Sequence, residues 1–405
     1  MTTQCLPGSN STMMISAFRD SDYLGVRVHA LPIPGEKPAN LAFLIDVSDS
    51  MTGERLAAVK KTLHSARTLF RADDRVTLVT FGESAHVIAN NLSLADDGME
   101  RFYEAIDAIR TDGCTNMSAG FELLLTLQER EAPFDALLLL TDGNVNHGIM
   151  STAGLRTMAQ GLGRLPITAL GYGADHNRVL LRDLALTSRG SYVFVASEML
   201  LPTAIGDLIG GIRTEILKDA SIQVPAGWTC CELGGEASTY RIGNVVSGRD
   251  YWAIFRRSLP SVEEATPIVL MSGREEVTRI AHIAVSPSLD LQEQVLRTRV
   301  GRAIVNASDQ MEQGYRNGTE VAELIAEFET LGEELMRRPL VLRMKAQLAE
   351  VLSSASPSNI LLARMASGGT YLSVQRGVTS DPDDTMFSSD SQRATSTQVQ
   401  KNYTC

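Results

Sequence analysis

The sequence predicts a doubly wound, mostly parallel α/β sheet that is inserted into an antiparallel β-sandwich and followed by a small helical bundle. Three observations support this prediction. Residues 40–217 alternate between apolar, strand-like runs and amphipathic helical stretches, as parallel α/β sheets do. Residues 13–39 and 218–287 contain short strands separated by Gly, Pro and Ser, which is typical of antiparallel sheets. Residues 288–370 carry apolar side chains at helical spacing.

The composition is that of an ordinary globular protein. The 405 residues suffice for two or three domains, and the apolar fraction of 44% and charged fraction of 21% are typical. A formal net charge of −11 argues against nucleic acid and against an anionic membrane surface as partners. The sequence shows neither a signal-peptide pattern nor an apolar window long enough to cross a bilayer. Its five cysteines follow no disulfide or zinc spacing, so we expect a cytoplasmic protein.

The N-terminal region is predicted to belong to the sandwich. Residues 1–12 are polar and are expected to form a disordered tail. Residues 14–18 and 24–31 have strand character, and a stretch rich in Pro and Gly then marks a domain boundary. These strands have no partner nearby in the sequence. We therefore expect them to pair with strands of residues 218–287, which makes the α/β domain an insertion.

Strands and helices are predicted to alternate within the α/β domain. The strands are expected at residues 41–45, 75–81, 86–88, 136–140, 167–170 and 192–195. The helices are expected at residues 54–70, 99–109, 116–128, 154–162, 178–186 and 198–217. Two of the strands, residues 41–45 and 136–140, are apolar throughout, which indicates burial on both faces of a parallel sheet.

The remainder is predicted to be strands, then helices, then a tail. The strands are expected at residues 221–224, 228–233, 239–242, 251–255, 268–271 and 277–285. The helices are expected at residues 291–311, 321–335 and 340–352. Residues 371–405 are rich in Ser, Thr, Asp and Gln and are expected to be disordered.

Polar side chains follow the first strand of the α/β domain. Asp46, Ser48 and Ser50 occupy alternate positions, so in an extended segment they would leave one side of the chain together. Such oxygen ligands are suited to a hard divalent cation such as Mg²⁺. Short segments rich in Asp and Ser are also common turns, because these side chains bond to their own backbone. This stretch alone leaves both interpretations open.

Two further polar clusters are predicted at the same edge of the sheet. Thr115 lies in a segment that opens a helix, and Asp142 follows the Leu-rich strand. Open parallel sheets bind ligands at the carboxyl ends of their strands. Two buried strands that both end in Asp repel one another unless a cation neutralises them, and hydroxyls complete an oxygen shell without adding charge. The sequence therefore predicts a Mg²⁺ site made of Asp46, Ser48, Ser50, Thr115 and Asp142.

Together the three clusters resemble those of the von Willebrand factor A (VWA) domain. Asp-x-Ser-x-Ser, Gly-x-Thr-Asn and Thr-Asp-Gly follow one another in the family's order and spacing, and the resemblance covers residues 40–217. It implies a Rossmann-like fold with a metal-ion-dependent adhesion site (MIDAS). In the family's pattern, the three hydroxyls contact the metal directly and the two carboxylates act mostly through water. Mg²⁺ is the expected ion, with Mn²⁺ or Ca²⁺ as alternatives.

The resemblance also implies a mode of action. The open coordination position would accept an Asp or Glu of a partner protein, and we expect four further residues to contact that partner: Asp49, Met51, Asn116 and Asn144. No catalytic or cofactor-binding residues are predicted, and the oligomeric state stays open. The flanking regions resemble intracellular members of the family, in which a β-sandwich surrounds the A domain and a helical Vwaint region follows it. Some members are RING-containing ubiquitin ligases, but this sequence has no RING spacing of Cys and His.

Two other functions are compatible with these residues. As a structural adaptor or substrate-recognition subunit, for example in ubiquitin-linked complexes, the protein would bind partners through residues 219–366, and the metal would only brace loops. As a metal-dependent hydrolase it would need a general base, and the three clusters offer no positioned His or Lys. We therefore predict a non-catalytic interaction module.

Two residues of the clusters have alternative interpretations. Asp49 stands where the family usually has Gly. Its side chain either points to solvent or adds negative charge beside the metal, which would raise the affinity for the cation and weaken attraction for an acidic partner. Cys114 is interpreted as a small buried apolar residue rather than as a reactive thiol.

Overall fold

The structure of the protein is a computed structural model. It describes residues 2–5, 12–33, 35–130, 133–163, 165–172, 176–195, 200–232, 238–258, 267–280, 288–313 and 319–353. These residues form two compact units. Residues 35–214 are called the α/β unit, and residues 2–33 together with residues 215–353 are called the sandwich unit.

Strands and helices have the following bounds. The strands are β1 (Thr2–Cys5), β2 (Met13–Arg19), β3 (Tyr23–Ala30), β4 (Asn40–Asp46), β5 (Arg75–Phe81), β6 (Ala85–Ser93), β7 (Ala136–Thr141), β8 (Ile167–Tyr172), β9 (Tyr192–Val195), β10 (Glu215–Gln223), β11 (Trp228–Cys230), β12 (Thr239–Val246), β13 (Asp250–Arg257), β14 (Ile268–Ser272) and β15 (Glu275–Ile280). The helices are α1 (Glu54–Ser65), α2 (Gly98–Ala108), α3 (Met117–Arg130), α4 (Thr152–Gly161), α5 (Arg178–Ser188), α6 (Leu200–Arg213), α7 (Leu289–Glu312), α8 (Thr319–Phe328), α9 (Glu333–Met336) and α10 (Pro339–Ser353). Short 3₁₀ turns cover Asp49–Met51 and Ala66–Leu69.

The α/β unit contains a mostly parallel sheet with the strand order β6-β5-β4-β7-β8-β9. β4 pairs in parallel with both β5 and β7, and β6 is an antiparallel edge strand. The chain therefore leaves β4 for one side of the sheet, at β5, and later crosses to the other side, at β7. This reversal of strand order lies at the carboxyl end of β4, which is where such sheets bind ligands. The predicted doubly wound fold is confirmed.

Helices cover both faces of this sheet. On one face, alternate β4 residues such as Phe43 and Ile45 share a buried core with Val59 of α1 and Ile209 of α6. On the other face α3 approaches β4 closely, because a Cβ added at Gly120 would lie 2.8 Å from Cδ1 of Leu44. The strand is thus covered on both sides, which explains why its sequence is apolar throughout.

The sandwich unit consists of two antiparallel sheets around one apolar core. Their strand orders are β1-β2-β3-β13-β11 and β12-β10-β14-β15. β3 lies before the α/β unit in the sequence and pairs with β13 after it, so the predicted insertion is confirmed. β1 pairs with β2, so the expected tail at residues 1–12 contains a strand.

Three predicted elements end differently in the structure. The helix expected to run to residue 217 ends at Arg213, and Glu215 begins β10. The helix expected at residues 321–335 is divided into α8 and α9 around Gly332, whose extended backbone precedes α9. The strand expected to reach residue 285 ends at Ile280, and residues 281–287 lie outside the described part, as do residues 371–405.

Helix α7 is attached to the sandwich by apolar contacts and by a buried ion pair. Leu291 and Val295 pack with Trp252 of β13. The guanidinium of Arg297 donates to the carboxylate of Glu232, and both side chains are fully buried. Within the part of the chain that the structure describes, no helix is long and apolar enough to span a bilayer.

Candidate metal centre

Three loops meet at the carboxyl ends of β4 and β7. They are the β4 loop (residues 46–53), the α3 loop (residues 110–116) and the β7 loop (residues 142–151). Backbone hydrogen bonds join them. Asp112 N donates to Val47 O over 2.6 Å, and Asp49 N donates to Gly113 O over 2.9 Å. Asn146 N donates to Thr115 O over 3.2 Å. The structure therefore brings together all three polar clusters that the sequence places at this edge.

Asp46 is the most deeply buried of the predicted ligands, with 0% of its surface exposed. Its Oδ1 accepts a hydrogen bond from Ser48 N over 2.9 Å, and its Oδ2 accepts one from Thr141 Oγ1 over 2.6 Å. Burial raises the pKa of Asp46 to about 6, against the opposing effect of these hydrogen bonds, and the negative charge of Asp142 raises it slightly more. Asp46 is thus a fixed carboxylate whose negative charge lacks a full counter-charge.

Thr141 is a positioning residue that sequence reasoning did not assign. Its hydroxyl donates to Asp46 and accepts a hydrogen bond from Gly143 N over 2.8 Å. The last residue of β7 therefore orients the last residue of β4. The signal for this residue in the sequence is the Thr of the Thr-Asp-Gly motif.

Hydroxyl groups surround the first carboxylate. Ser48 is buried, Ser50 is exposed, and their Oγ atoms lie 3.0 Å apart. The side chain of Thr115 is buried in the α3 loop. Its backbone N donates to Asn146 Oδ1 over 2.8 Å, which ties it to the β7 loop. The hydroxyls thus extend from the buried end of β4 to the protein surface.

Asp142 is the second buried carboxylate. Its Oδ1 accepts from Asn144 N over 3.0 Å, and its Oδ2 lies 3.6 Å from Nη1 of Arg55. The same Nη1 donates to the carbonyl of Ser50 over 3.0 Å. Arg55 was missed by sequence reasoning, because a charged residue in the first turn of an amphipathic helix looks like an ordinary solvated position.

The β7 loop is held against α3 by a second set of contacts. Ile149 N donates to Ser118 Oγ over 3.0 Å. Gly148 has φ +69°, and a Cβ there would lie 2.2 Å from Asn116 Oδ1. Only glycine fits this position, because both the backbone conformation and the close approach exclude a side chain. The loop consequently returns to α3 within a few residues of Asp142.

The four residues predicted to contact a partner differ in their exposure to solvent. Asp49 and Asn144 are exposed. Asn116 is half-buried, and its Oδ1 accepts from Ser118 Oγ and Ala119 N, so it caps α3. Met51 is 0% exposed and belongs to the apolar core, so the prediction that it contacts a partner is wrong. The 3₁₀ turn of the β4 loop directs this side chain inward.

Cys114 also corrects an expectation. It was interpreted as a buried apolar residue, but it is an exposed free thiol directly before Thr115. A short polar loop at a sheet edge leaves little apolar surface against which a side chain can be buried.

The donor set fits a hard divalent cation. It contains oxygen atoms alone, from two buried carboxylates and three hydroxyls, which is the chemistry that Mg²⁺ and Mn²⁺ prefer. Among the described residues, no group of three or more His, Cys, Asp or Glu side chains could hold a metal ion. Binding at this edge would therefore depend on the hydroxyls as well as on Asp46 and Asp142.

An open, mostly parallel sheet with oxygen-rich loops at its reversal point defines a Rossmann-like domain with a candidate cation site. Residues 39–194 match the family model of the von Willebrand factor type A domain. The chain therefore contains a VWA domain, and the resemblance deduced from its motifs is confirmed.

Known proteins of similar sequence or structure agree with this assignment. The inter-alpha-trypsin inhibitor heavy chain H1 of Bos taurus is 26% identical over 197 residues, which are 46% of this chain and 22% of that protein. The chain thus spans about a fifth of the length of that relative. A von Willebrand factor type A structure from Catenulispora acidiphila has a TM-score of 0.67 at 14% identity and covers 91% of this chain and 98% of that one. The ArnB paralog VWA2 of Sulfolobus acidocaldarius has a TM-score of 0.59 at 16% identity, with 89% and 99% covered. These two structures share the fold.

Proposed function

We propose that the VWA domain of this protein is a metal-dependent protein-interaction module that binds an acidic side chain of a partner. The observation that carries this proposal is the pair of buried carboxylates, Asp46 and Asp142, beside three hydroxyls at the reversal point of the sheet. A buried pair of like charges is unfavourable unless a cation compensates it. Mg²⁺ is the proposed ion, with Mn²⁺ or Ca²⁺ as alternatives.

Each residue has a distinct task in this proposal. Ser48, Ser50 and Thr115 supply hydroxyl oxygens as direct ligands, and Asp46 and Asp142 act mostly through water. When bound, the cation supplies an open coordination position that an Asp or Glu of the partner completes. Such charge-assisted contacts are about twice as strong as neutral hydrogen bonds, so they concentrate affinity at one point. The module is non-catalytic in this proposal.

The exposure of the loops supports a surface contact. Ser50, Asp49 and Asn144 are exposed, whereas Asp46 lies at the buried end of the site. A partner would therefore reach the outer ligands without unfolding a loop. The proposal includes a cytoplasmic location, on the ground that the five cysteines of the sequence follow no disulfide spacing.

Chelation and substitution of Asp142 test the proposal on the full chain. We expect Mg²⁺ to bind to the wild type in titration calorimetry, and Asp142→Ala to abolish this binding. Proteins captured from a native lysate in Mg²⁺ should be released by EDTA and should not be captured by Asp142→Ala. Asp183→Ala is the matched control, because Asp183 lies on α5 of the same unit and pairs only loosely with Arg156, at 3.7 Å. Capture that survives both EDTA and Asp142→Ala would show that binding uses another surface.

Met150 provides a separate test of the partner surface. It is 62% exposed and follows Ile149, which is 39% exposed, in the loop that begins at Asp142. If a partner covers this loop, Met150→Ser should weaken capture by tenfold or more, because burying a Met side chain contributes about 1.5–3 kcal/mol. The affinity for Mg²⁺ should not change. Val87→Thr, at the 39% exposed Val87 of β6, is the control. Equal capture by Met150→Ser and the wild type would exclude this loop from the interface.

A further inference from the structure

We infer that Arg55 competes with the cation for Asp142 and thereby sets the cation concentration at which the site fills. This inference rests on the proposed metal site and concerns its regulation. Arg55, which is not one of the five predicted ligands, would thus control the affinity of the site for the cation.

The geometry places one guanidinium between two predicted ligands. Arg55 is the second residue of α1, directly after the β4 loop. Its Nη1 donates to the carbonyl of Ser50 over 3.0 Å and lies 3.6 Å from Oδ2 of Asp142. Ser50 belongs to the β4 loop and Asp142 to the β7 loop. Arg55 therefore bridges the two loops at the position where both contribute to the site.

Arg55 and Asp142 differ in how far their side chains are buried. The side chain of Asp142 is 3% exposed, whereas that of Arg55 is 36% exposed. Water thus screens the guanidinium more than the carboxylate, and Arg55 can turn outward at little cost. The carboxylate is confined by its hydrogen bond from Asn144 N and cannot follow. Arg55 is therefore the partner of this pair that can move, and Asp142 is the one that stays in place.

The positive charge of the Arg55 guanidinium opposes the binding of a divalent cation. It reduces the charge of the carboxylate pair from −2 to −1. Two positive charges a few ångströms apart repel one another by more than 1 kcal/mol even near the protein surface. The same five ligands without Arg55 would therefore bind a divalent cation more tightly.

Asp49, in the β4 loop, carries a charge opposite to that of Arg55. It is exposed and follows Ser48 directly. By the same Coulomb argument it favours a cation, although solvent screens it more strongly. Substitutions of Arg55 and Asp49 to neutral residues should consequently change the affinity in opposite directions, which distinguishes a charge effect from general loosening of the loop.

Manganese binding to the full chain tests the inference. We expect Arg55→Met to bind Mn²⁺ about tenfold more tightly than the wild type, since roughly this factor follows from removing one nearby charge. Arg55→Lys keeps the charge and should remain near the wild type, and Asp49→Asn should bind more weakly. Arg156→Met is the control, because Arg156 is similarly exposed and also contacts an Asp of the same unit. Arg55→Gln serves as a second neutral variant, and thermal unfolding in EDTA verifies that each variant is folded.

The outcomes separate this inference from the proposed function. If the wild type binds Mn²⁺ and both neutral variants bind it equally well or less well, the inference is overturned and the metal site stands. If neither the wild type nor any variant binds Mn²⁺ at millimolar concentration, both are overturned. If Arg55→Met binds Mn²⁺ at a much lower concentration than the wild type does, both the inference and the proposed metal site are supported.

Discussion

Asp46→Asn is expected to stabilise the cation-free protein and at the same time to abolish cation binding. The folded protein raises the pKa of Asp46 to about 6, because the carboxylate is buried beside a second one. At pH 7.5 the group is ionised in both the folded and the unfolded state, so this shift is a cost to folding. Removing the charge should increase the free energy of unfolding in EDTA by about 1–3 kcal/mol, because the Asn oxygen can still accept from Ser48 N and its NH₂ group can donate to the Thr141 hydroxyl, which is able to accept. Urea denaturation measures this gain.

The same variant should lose its response to Mg²⁺. In the wild type, binding to the folded state alone stabilises it, so Mg²⁺ should raise the Tm. Asp46→Asn should show the higher Tm in EDTA and no further rise with Mg²⁺. Asp46→Ala is the control, because it also removes the acceptor for Ser48 N and for the Thr141 hydroxyl and should not gain stability. A less stable Asp46→Asn in EDTA would contradict the argument that the buried charge is unfavourable.

The central strands and the order of the loops could be predicted because they depend on local patterns. The apolar runs at residues 41–45 and 136–140 lie within β4 and β7, which neighbour one another in the sheet. A strand covered on both faces needs no polar side chain. The abrupt change to Asp and Ser after such a run marks the edge where parallel strands end. The resemblance to the VWA domain rested on the three motifs at this edge, Asp-x-Ser-x-Ser, Gly-x-Thr-Asn and Thr-Asp-Gly.

Burial within the loops could not be predicted from the sequence. Met51 was assigned to a partner surface and Cys114 to the interior, and the structure reverses both. The direction of a loop side chain depends on the 3₁₀ turn and on the neighbouring loops, and neither has a periodic signal. Arg55 escaped notice for the same reason, since its contacts with Ser50 and Asp142 depend on the meeting of two loops.

At the end of the α/β unit, strand pairing between distant segments decides the structure against the helical spacing of the local sequence. The apolar spacing of α6 continues past Arg213, so the sequence predicts a helix to residue 217. The structure instead begins β10 at Glu215, because this segment pairs with β12 and β14 of the sandwich unit. Arg213 is the last helical residue, and its buried guanidinium forms an ion pair with the buried carboxylate of Asp74. This ion pair leads to the second large prediction.

Asp74→Asn is expected to destabilise the α/β unit by about 3–5 kcal/mol, because it leaves the buried guanidinium of Arg213 with only the more exposed carboxylate of Glu36, at 4.0 Å, as a counter-charge. Asp74 is 0% exposed, and its Oδ2 accepts from Arg213 Nη2 over 2.6 Å. Its Oδ1 accepts from Ala39 N over 2.8 Å, and Lys37 N donates to Arg213 O over 3.0 Å. One carboxylate therefore ties together the beginning and the end of the unit. An amide in its place would direct a donor toward other donors.

Hydrogen exchange can show that Asp74→Asn destabilises the α/β unit in particular. Backbone amides of β4 and α6 should exchange faster in Asp74→Asn, and urea denaturation should give the loss in free energy. Asp73→Asn is the matched control, because Asp73 is the adjacent residue, is 46% exposed and pairs with the exposed Arg71, so its loss should stay below about 0.5 kcal/mol. The double variant Asp74→Asn with Arg213→Met should recover part of the loss, since it removes the buried positive charge. Equal stability of Asp74→Asn and Asp73→Asn would mean that the ends of the unit are held by backbone pairing and apolar packing alone.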